Sequence, residues 1–239
     1  MIKTWNVLLL CACLAVQQAI AFPQRQVSTV ADTEPTAVAQ SVDADTSSSS
    51  SSEEKLSLPR NQLLFGTLGL LTNQSRYILR ESRNFLKNLL NEMNALPEKS
   101  KAIEQNITRV SSVLTDVDSI DLDADPPLAE KMFSGVDEVG KVFDEFYGMP
   151  ENNDPKSDVA ILQKLFEKIG FDDMDKRINV TLQVTLNRFM ELFENFETSL
   201  GEKEKENDAP LINWYQRFKK EDDIEKKFEV LEEFSTFFK

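Results

Sequence analysis

The stretch that decides the fold is LFGTLGLLTNQSRYILRESRNFLKNLLNEMNAL, residues 64–96. Positions that share one side of a helix recur in it every three or four residues: Leu64, Leu68, Leu71, Ser75, Ile78, Ser82, Phe85, Leu89, Met93 and Leu96. This period predicts one long amphipathic helix that begins near Pro59 and ends by Pro97. Because two positions of the stripe are serine, its middle is only weakly apolar.

The same period recurs along the rest of the chain. Apolar stripes of helical spacing lie near residues 103–117, 128–146, 159–169, 173–200 and 211–238. Residues 201–208 are predicted to be a charged linker, and Asp222 or Asp223 is predicted to cap the last helix. Within residues 179–186 apolar and polar side chains also alternate as in a strand, but the seven-residue spacing continues to Leu200 and favours a helix. The sequence therefore predicts an all-α fold, an irregular antiparallel bundle of five or six amphipathic helices.

Residues 1–21 have the pattern of a secretory signal peptide. Lys3 precedes an apolar run from Val7 to Val16, and Ala19-Ile20-Ala21 carries small residues where signal peptidase cuts. The run is too short to span a bilayer, and no later run approaches the ~20 residues that spanning needs. We therefore expect a secreted, extracellular chain with no transmembrane segment, and the sequence leaves its oligomeric state open.

The distribution of cysteine, histidine and charge excludes several classes of protein. Both cysteines, Cys11 and Cys13, lie in the predicted signal peptide, and the chain has no histidine. A mature chain without them lacks disulfides and the usual zinc, haem, thiolate and imidazole chemistry. The formal net charge of -14 repels nucleic acid. We expect a protein that is not an enzyme and has no cofactor, no metal and no nucleic-acid partner.

Residues 22–58 are rich in Ser, Thr, Ala and Gln and have few large apolar side chains, which predicts a disordered arm. Ser51 and Ser52 each precede a glutamate by two positions and are candidate phosphorylation sites, while the Ser/Thr tract also suits O-glycosylation. The interpretation we prefer is that this segment is a plain solvated spacer. Residues 59–239 form the predicted helical domain, with a subdivision near residues 118–127 as an alternative.

Three N-glycosylation sequons follow the predicted signal peptide, at Asn73, Asn106 and Asn179. In a secreted protein they indicate glycans on exposed surface. At 100° per residue, Asn73 lies opposite the apolar stripe of its helix, whereas Asn106 and Asn179 lie nearer the edges of theirs.

Charge is uneven along the chain. Residues 61–117 carry seven basic and five acidic side chains, and residues 118–210 carry ten basic and 23 acidic ones. Arg76, Arg80, Arg83 and Lys87 are spaced to form one strip on the first helix, a candidate anion-binding ridge. We prefer the interpretation that this strip is solvated or faces the acidic later segments, because charge rows on helices are common.

Two further features have a structural and a functional interpretation. Asp121, Asp123 and Asp125 have the spacing of the first calcium ligands of an EF-hand, but Pro126 and Met132 replace its glycine and bidentate glutamate, so a solvated linker is favoured. The C-terminal segment carries aromatic side chains at helical spacing that are candidates for a lipid or partner contact: Trp214, Tyr215, Phe218, Phe228, Phe234 and Phe238. A final helix packed into the core is the interpretation we favour for them.

These observations predict a secreted acidic glycoprotein that binds an extracellular protein partner through its helix faces. The alternative is a carrier of lipid or another apolar ligand, since a cysteine-free bundle of amphipathic helices resembles the exchangeable apolipoproteins in architecture. That resemblance implies helices that open to lay their apolar faces on lipid. A second alternative is a bulk component of a secretion or of the extracellular matrix.

Overall fold

The structure is a computed structural model that describes residues 58–124, 128–147, 154 and 157–238. The predicted signal peptide, nearly all of the predicted arm with Ser51 and Ser52, and Asp125 lie outside the described residues. Every regular element in the described part is helical, which confirms the predicted all-α class. The predicted subdivision near residues 118–127 stays a prediction.

The described residues form eight α-helices and a terminal 3₁₀ helix. The α-helices are α1 Leu58–Asn94, α2 Lys101–Asp118, α3 Ala129–Tyr147, α4 Asp158–Lys168, α5 Phe171–Ser199, α6 Glu202–Asn207, α7 Ala209–Lys220 and α8 Ile224–Glu232. The 3₁₀ helix is Glu233–Phe238. The predicted number of five or six was too low, because residues 201–208 were expected to be a linker and the aromatic C-terminal segment divides into separate short helices.

Local polar groups set where several helices begin. The Ser100 hydroxyl accepts a hydrogen bond from the Ile103 N–H at 3.1 Å and caps α2. The Asp223 carboxylate accepts one from the Lys226 N–H at 3.0 Å, which confirms the predicted aspartate cap of α8. Between α4 and α5 the chain turns at Gly170, whose φ of 81° is a conformation that favours glycine.

The helix α6 shows why its segment was mistaken for a linker. It has no buried residue and therefore no apolar stripe for a periodicity argument to detect. Its first turn is held instead by a side-chain contact, in which the Gly201 N–H donates to Oε2 of Glu204 at 2.8 Å. Glutamates in the first turn also suit the positive end of the helix dipole.

The long helix α1 is central, since α2, α3, α4 and α5 all pack against it. It runs antiparallel to α5: Gln74 contacts Thr181 and Thr185, while the later Glu81 contacts the earlier Arg177. The close approach of α3 depends on Gly135. A Cβ atom there would lie 2.7 Å from Cδ1 of Ile120 and 3.2 Å from Cδ2 of Leu79, so any larger residue would push the neighbouring side chains away.

Aromatic side chains form two clusters at opposite ends of α5. The first cluster surrounds the start of α5 and comprises Phe85, Phe143, Phe146, Phe166 and Phe171, with neighbouring ring centroids 5.2–6.4 Å apart. The second cluster surrounds its C-terminal half and comprises Phe189, Phe193, Phe196, Trp214, Tyr215, Phe218, Phe234, Phe237 and Phe238. Most of these contacts are edge-to-face or tilted, as aromatic quadrupoles prefer.

Candidate functional site

The outward face of α5 presents two valines to solvent. Val180 is 64% exposed and Val184, one turn later, is 44% exposed. Between and beside them lie Gln183 and Asn187, which are exposed and linked by a 3.3 Å side-chain hydrogen bond. We call these four residues the outer strip of α5. Single exposed apolar residues are common, but adjacent turns of one helix that both expose valine form an uncharged contact surface.

Beneath this strip the contact between α1 and α5 is polar. Gln74 is only 3% exposed, yet both ends of its amide are satisfied. Its Nε2 donates to the Thr181 hydroxyl at 3.0 Å, and its Oε1 accepts from the Thr185 hydroxyl at 2.9 Å. Because a buried amide that loses such partners is costly, this contact fixes how far along each other the two helices lie.

A buried carboxylate lies one turn from the outer strip. Asp175 is 7% exposed, and its Oδ2 accepts a hydrogen bond from Nδ2 of Asn179 at 3.0 Å. Burial raises the pKa of Asp175 above its ordinary value, and the negative charge of Asp172 acts in the same direction. The Asn179 hydrogen bond lowers the pKa but does not offset burial.

This raised pKa has a testable consequence for stability. The folded state holds the Asp175 proton more tightly than the unfolded state, so this group adds stability as the pH falls through its folded pKa towards the ordinary value of 3.8. We therefore expect Asp175→Asn to raise the thermal midpoint at pH 7 by about 2 °C, with the gain shrinking towards pH 4. Thermal denaturation monitored by circular dichroism at both pH values checks this. A gain that is the same at pH 7 and pH 4 would contradict it.

The three sequons differ in their surroundings. Asn73 is exposed on α1, and its Oδ1 accepts a hydrogen bond from Nη1 of Arg76 at 3.1 Å. Asn106 is half-buried on α2, and Asn179 is half-buried on α5 with its amide nitrogen engaged by Asp175. Glycosylation at all three positions stays a prediction.

The candidate anion ridge faces acidic side chains of its own chain. Arg80 is paired with Asp123, and Arg83 is paired with Asp118. Nζ of Lys87 lies 3.4 Å from the same Asp118 carboxylate. An external anion would therefore have to compete with these carboxylates for three of the four cations.

The aspartate loop with calcium-like spacing is described only in part. Oδ1 of Asp121 accepts a hydrogen bond from the Asp123 backbone N–H at 3.0 Å, while Asp125 is not described. Across residues 58–124, 128–147, 154 and 157–238, no three carboxylates converge to hold a metal ion. In the same ranges no helix has the length and apolar character to cross a membrane.

The six C-terminal aromatic candidates are all buried, and all of them except Phe228 belong to the second cluster: Trp214, Tyr215, Phe218, Phe228, Phe234 and Phe238. Trp214 Nε1 donates to the Val230 carbonyl oxygen at 2.9 Å, and the Tyr215 ring stacks on Phe193 with centroids 3.9 Å apart. Burial raises the pKa of the Tyr215 hydroxyl, helped by the nearby Glu194. Contact of these rings with lipid or a partner would require the segment to leave α5.

Arg60 of α1 contacts the C-terminal segment, and the sequence analysis did not predict this contact. Arg60 donates from Nη2 to the Phe237 carbonyl oxygen at 2.6 Å, and its Nε lies 3.3 Å from Oδ1 of Asp208. Its guanidinium also lies 5.4 Å from the centre of the Phe238 ring. Asp208 is buried, which raises its pKa, while Arg60 lowers it. The residues involved are far apart in sequence and no local pattern marks them.

Comparison with known proteins gives no relative on which to build. No family model matches the chain, and no significantly similar curated protein or solved structure was found.

Proposed function

We propose that this chain is a secreted acidic glycoprotein, not an enzyme, that binds an extracellular protein partner through the outer strip of α5. In this proposal the helices form an irregular antiparallel bundle behind a disordered N-terminal arm. The observation that carries it is the exposure of Val180 and Val184 one turn apart on a helix whose opposite face is fully packed. Exposed apolar side chains with a polar surround are what a protein interface offers.

The burial of the large aromatics supports this choice over the other classes. Trp214 and Phe218, which would be strong anchors for a partner, fill the core and are not available on the surface. The strip of α5 has no such internal role, since Val180 and Val184 contribute little to the core. Its middle is uncharged in an otherwise acidic chain, so it can be desolvated at low cost.

The absence of cysteine after the predicted signal peptide allows a sharp test. In Val184→Cys the new thiol is unique and can carry a photoactivatable cross-linker. We expect irradiation in fluid from the secreting tissue to give one dominant covalent adduct that saturates with concentration. Ser112→Cys, exposed on α2, is the matched control and should give none.

A second variant shows whether the valines themselves matter. Changing Val180 and Val184 together to aspartate should abolish the adduct formed through a cross-linker at Asn187→Cys, because charge in an apolar contact is costly to desolvate. Equal adducts at Val184→Cys and Ser112→Cys would contradict the proposed interface. Failure to form any specific adduct would favour the bulk component of a secretion or matrix.

The carrier of lipid or another apolar ligand is favoured by one observation. Many of the largest apolar side chains belong to residues 209–238, which are fastened to α1 by Arg60. Release of that segment would expose a large apolar surface. Because Trp214 is already buried, its emission would shift little on lipid binding, and flotation with phosphatidylcholine vesicles is the decisive measurement. Absence of the protein from the vesicle fraction would exclude this class.

A further inference from the structure

We propose that the glycan of this protein is carried at Asn73, and that the sequon Asn179-Val180-Thr181 stays unmodified because the fold uses both of its reactive groups. The inference rests on the proposed passage through the secretory pathway, and it deepens the proposed interface. A sequon needs a free amide nitrogen on its asparagine and a hydroxyl two residues later. The two sequons differ in whether the folded chain leaves the asparagine amide nitrogen free and exposed.

At Asn179 both groups are engaged. The amide nitrogen, to which a sugar would be joined, donates to the buried Asp175 carboxylate at 3.0 Å. The Thr181 hydroxyl donates to the Ile178 carbonyl oxygen at 2.8 Å and accepts from Nε2 of Gln74 at 3.0 Å. A sugar on Nδ2 would replace one of its two hydrogens and place a bulky polar group beside the contact between α1 and α5. A glycan on Asn179 would therefore lower the stability of the folded chain.

At Asn73 the asparagine itself is free, although the Ser75 hydroxyl of the same sequon is buried in the folded chain. Arginine has only donors, so the oxygen of the Asn73 amide must face Arg76, and its nitrogen lies on the other side of the amide. Asn73 is exposed, and no residue bonds its nitrogen in the described part of the chain. One turn earlier, Gly69 has no atom within 4 Å of where its Cβ would be, so the surface beside Asn73 is open. A glycan can stand here without displacing any side chain.

The distinction matters for the proposed interface. Asn179 directly precedes Val180, so a glycan there would stand over the outer strip of α5. A glycan at Asn73 projects from the outer face of α1, away from the helices packed on its buried face. An unmodified Asn179 therefore leaves the valines accessible to a protein partner.

The experiment measures the occupancy of each sequon in the secreted protein. The chain, with residues 1–21 replaced by an established secretory leader and with Asn106→Gln, is expressed in animal cells. The secreted monomer is treated with peptide N-glycosidase in heavy-oxygen water, which marks each formerly glycosylated asparagine. Mass spectrometry should find the mark on Asn73 and leave Asn179 unmarked. A mark on Asn179 in most secreted chains, or none on Asn73, would overturn the proposal.

A matched pair of variants separates the structural role of Thr181 from the loss of a sequon. Thr181→Ser keeps both the sequon and the hydroxyl, and should leave Asn179 unmarked and the thermal midpoint near that of the parent. Thr181→Val removes the hydroxyl that receives the Gln74 amide, and should lower the midpoint by about 2–4 °C with the glycan at Asn73 unchanged. Equal midpoints for the two variants would overturn the structural role.

The two proposals fail separately. Whether residues 1–21 direct secretion is measured on the unaltered chain, and retention inside the cell there would contradict the proposed function. The occupancy of Asn73 and Asn179 is read on the chain with the substituted leader, which enters the secretory pathway whatever residues 1–21 do.

Discussion

Changing Phe189 to alanine should lower the free energy of unfolding by about 3–5 kcal/mol, among the largest effects of any single substitution in this chain. The ring is 2% exposed and lies at the centre of the second aromatic cluster. Its centroid is 5.2 Å from that of Phe218, 5.5 Å from that of Phe234 and 6.1 Å from that of Trp214. Its removal leaves a cavity between α5 and the whole C-terminal segment, and rigid neighbouring rings close such a cavity poorly.

Denaturant unfolding of the purified protein, followed by far-UV circular dichroism and by Trp214 emission, measures this loss. Trp214 is the only tryptophan that follows the predicted signal peptide, so its emission reports on the second cluster alone. Arg188→Ala, which changes an exposed neighbour on α5, is the control and should stay within about 0.5 kcal/mol of the parent. A loss below about 1 kcal/mol for Phe189→Ala would show that the segment does not pack on α5 in solution.

The second large effect is expected for Arg60→Ala. Asp208 is buried, and Arg60 is the cation that the structure places beside its carboxyl group. Removing one partner of a buried pair leaves an uncompensated charge, which costs about 3–5 kcal/mol when the pair is fully buried. Because the Arg60 side chain is 26% exposed and water can partly replace it, we expect about 2–3 kcal/mol.

A second substitution and a change of pH show whether the unpaired Asp208 carboxylate causes the loss of stability in Arg60→Ala. Adding Asp208→Asn to Arg60→Ala should restore part of the stability, because the amide carries no charge. Burial already raises the pKa of Asp208, and losing Arg60 raises it further. The folded state then favours the protonated acid, so the deficit of Arg60→Ala should shrink as the pH falls through that raised pKa. A deficit that neither Asp208→Asn nor acid reduces would show that lost packing on Phe238 is responsible.

Sequence periodicity predicted the elements that bury an apolar face. The stripe from Leu64 to Leu96 gave α1 within about two residues at its C-terminal end. The alternation at Val180 and Val184, which could have indicated a strand, arises because these two valines lie on the exposed side of α5. The local signal for the proposed interface was therefore the presence of Val180 and Val184 away from the buried apolar stripe of their helix.

Two kinds of feature were not predicted from the sequence: a helix without an apolar stripe, and contacts between residues that are far apart in the chain. The helix α6 is held by a terminal hydrogen bond and buries nothing, so hydropathy carries no trace of it. Gln74 meets Thr181 across 107 residues, and Arg60 meets Phe237 across 177. Such pairings are set by how the helices pack, and a single sequence contains no local pattern that specifies them.

The central position of α1 also has a consequence for the chain during its synthesis on the ribosome. Ribosomes make α1 before α5, its main neighbour, which begins 77 residues after α1 ends, and Phe237, which Arg60 contacts, follows later still. At roughly 5–20 residues per second, the apolar side of α1 waits on the order of 4–15 s before α5 begins to emerge. During that interval the part of α1 that packs on α5 is uncovered, and a chaperone that binds apolar segments of nascent chains has a target there.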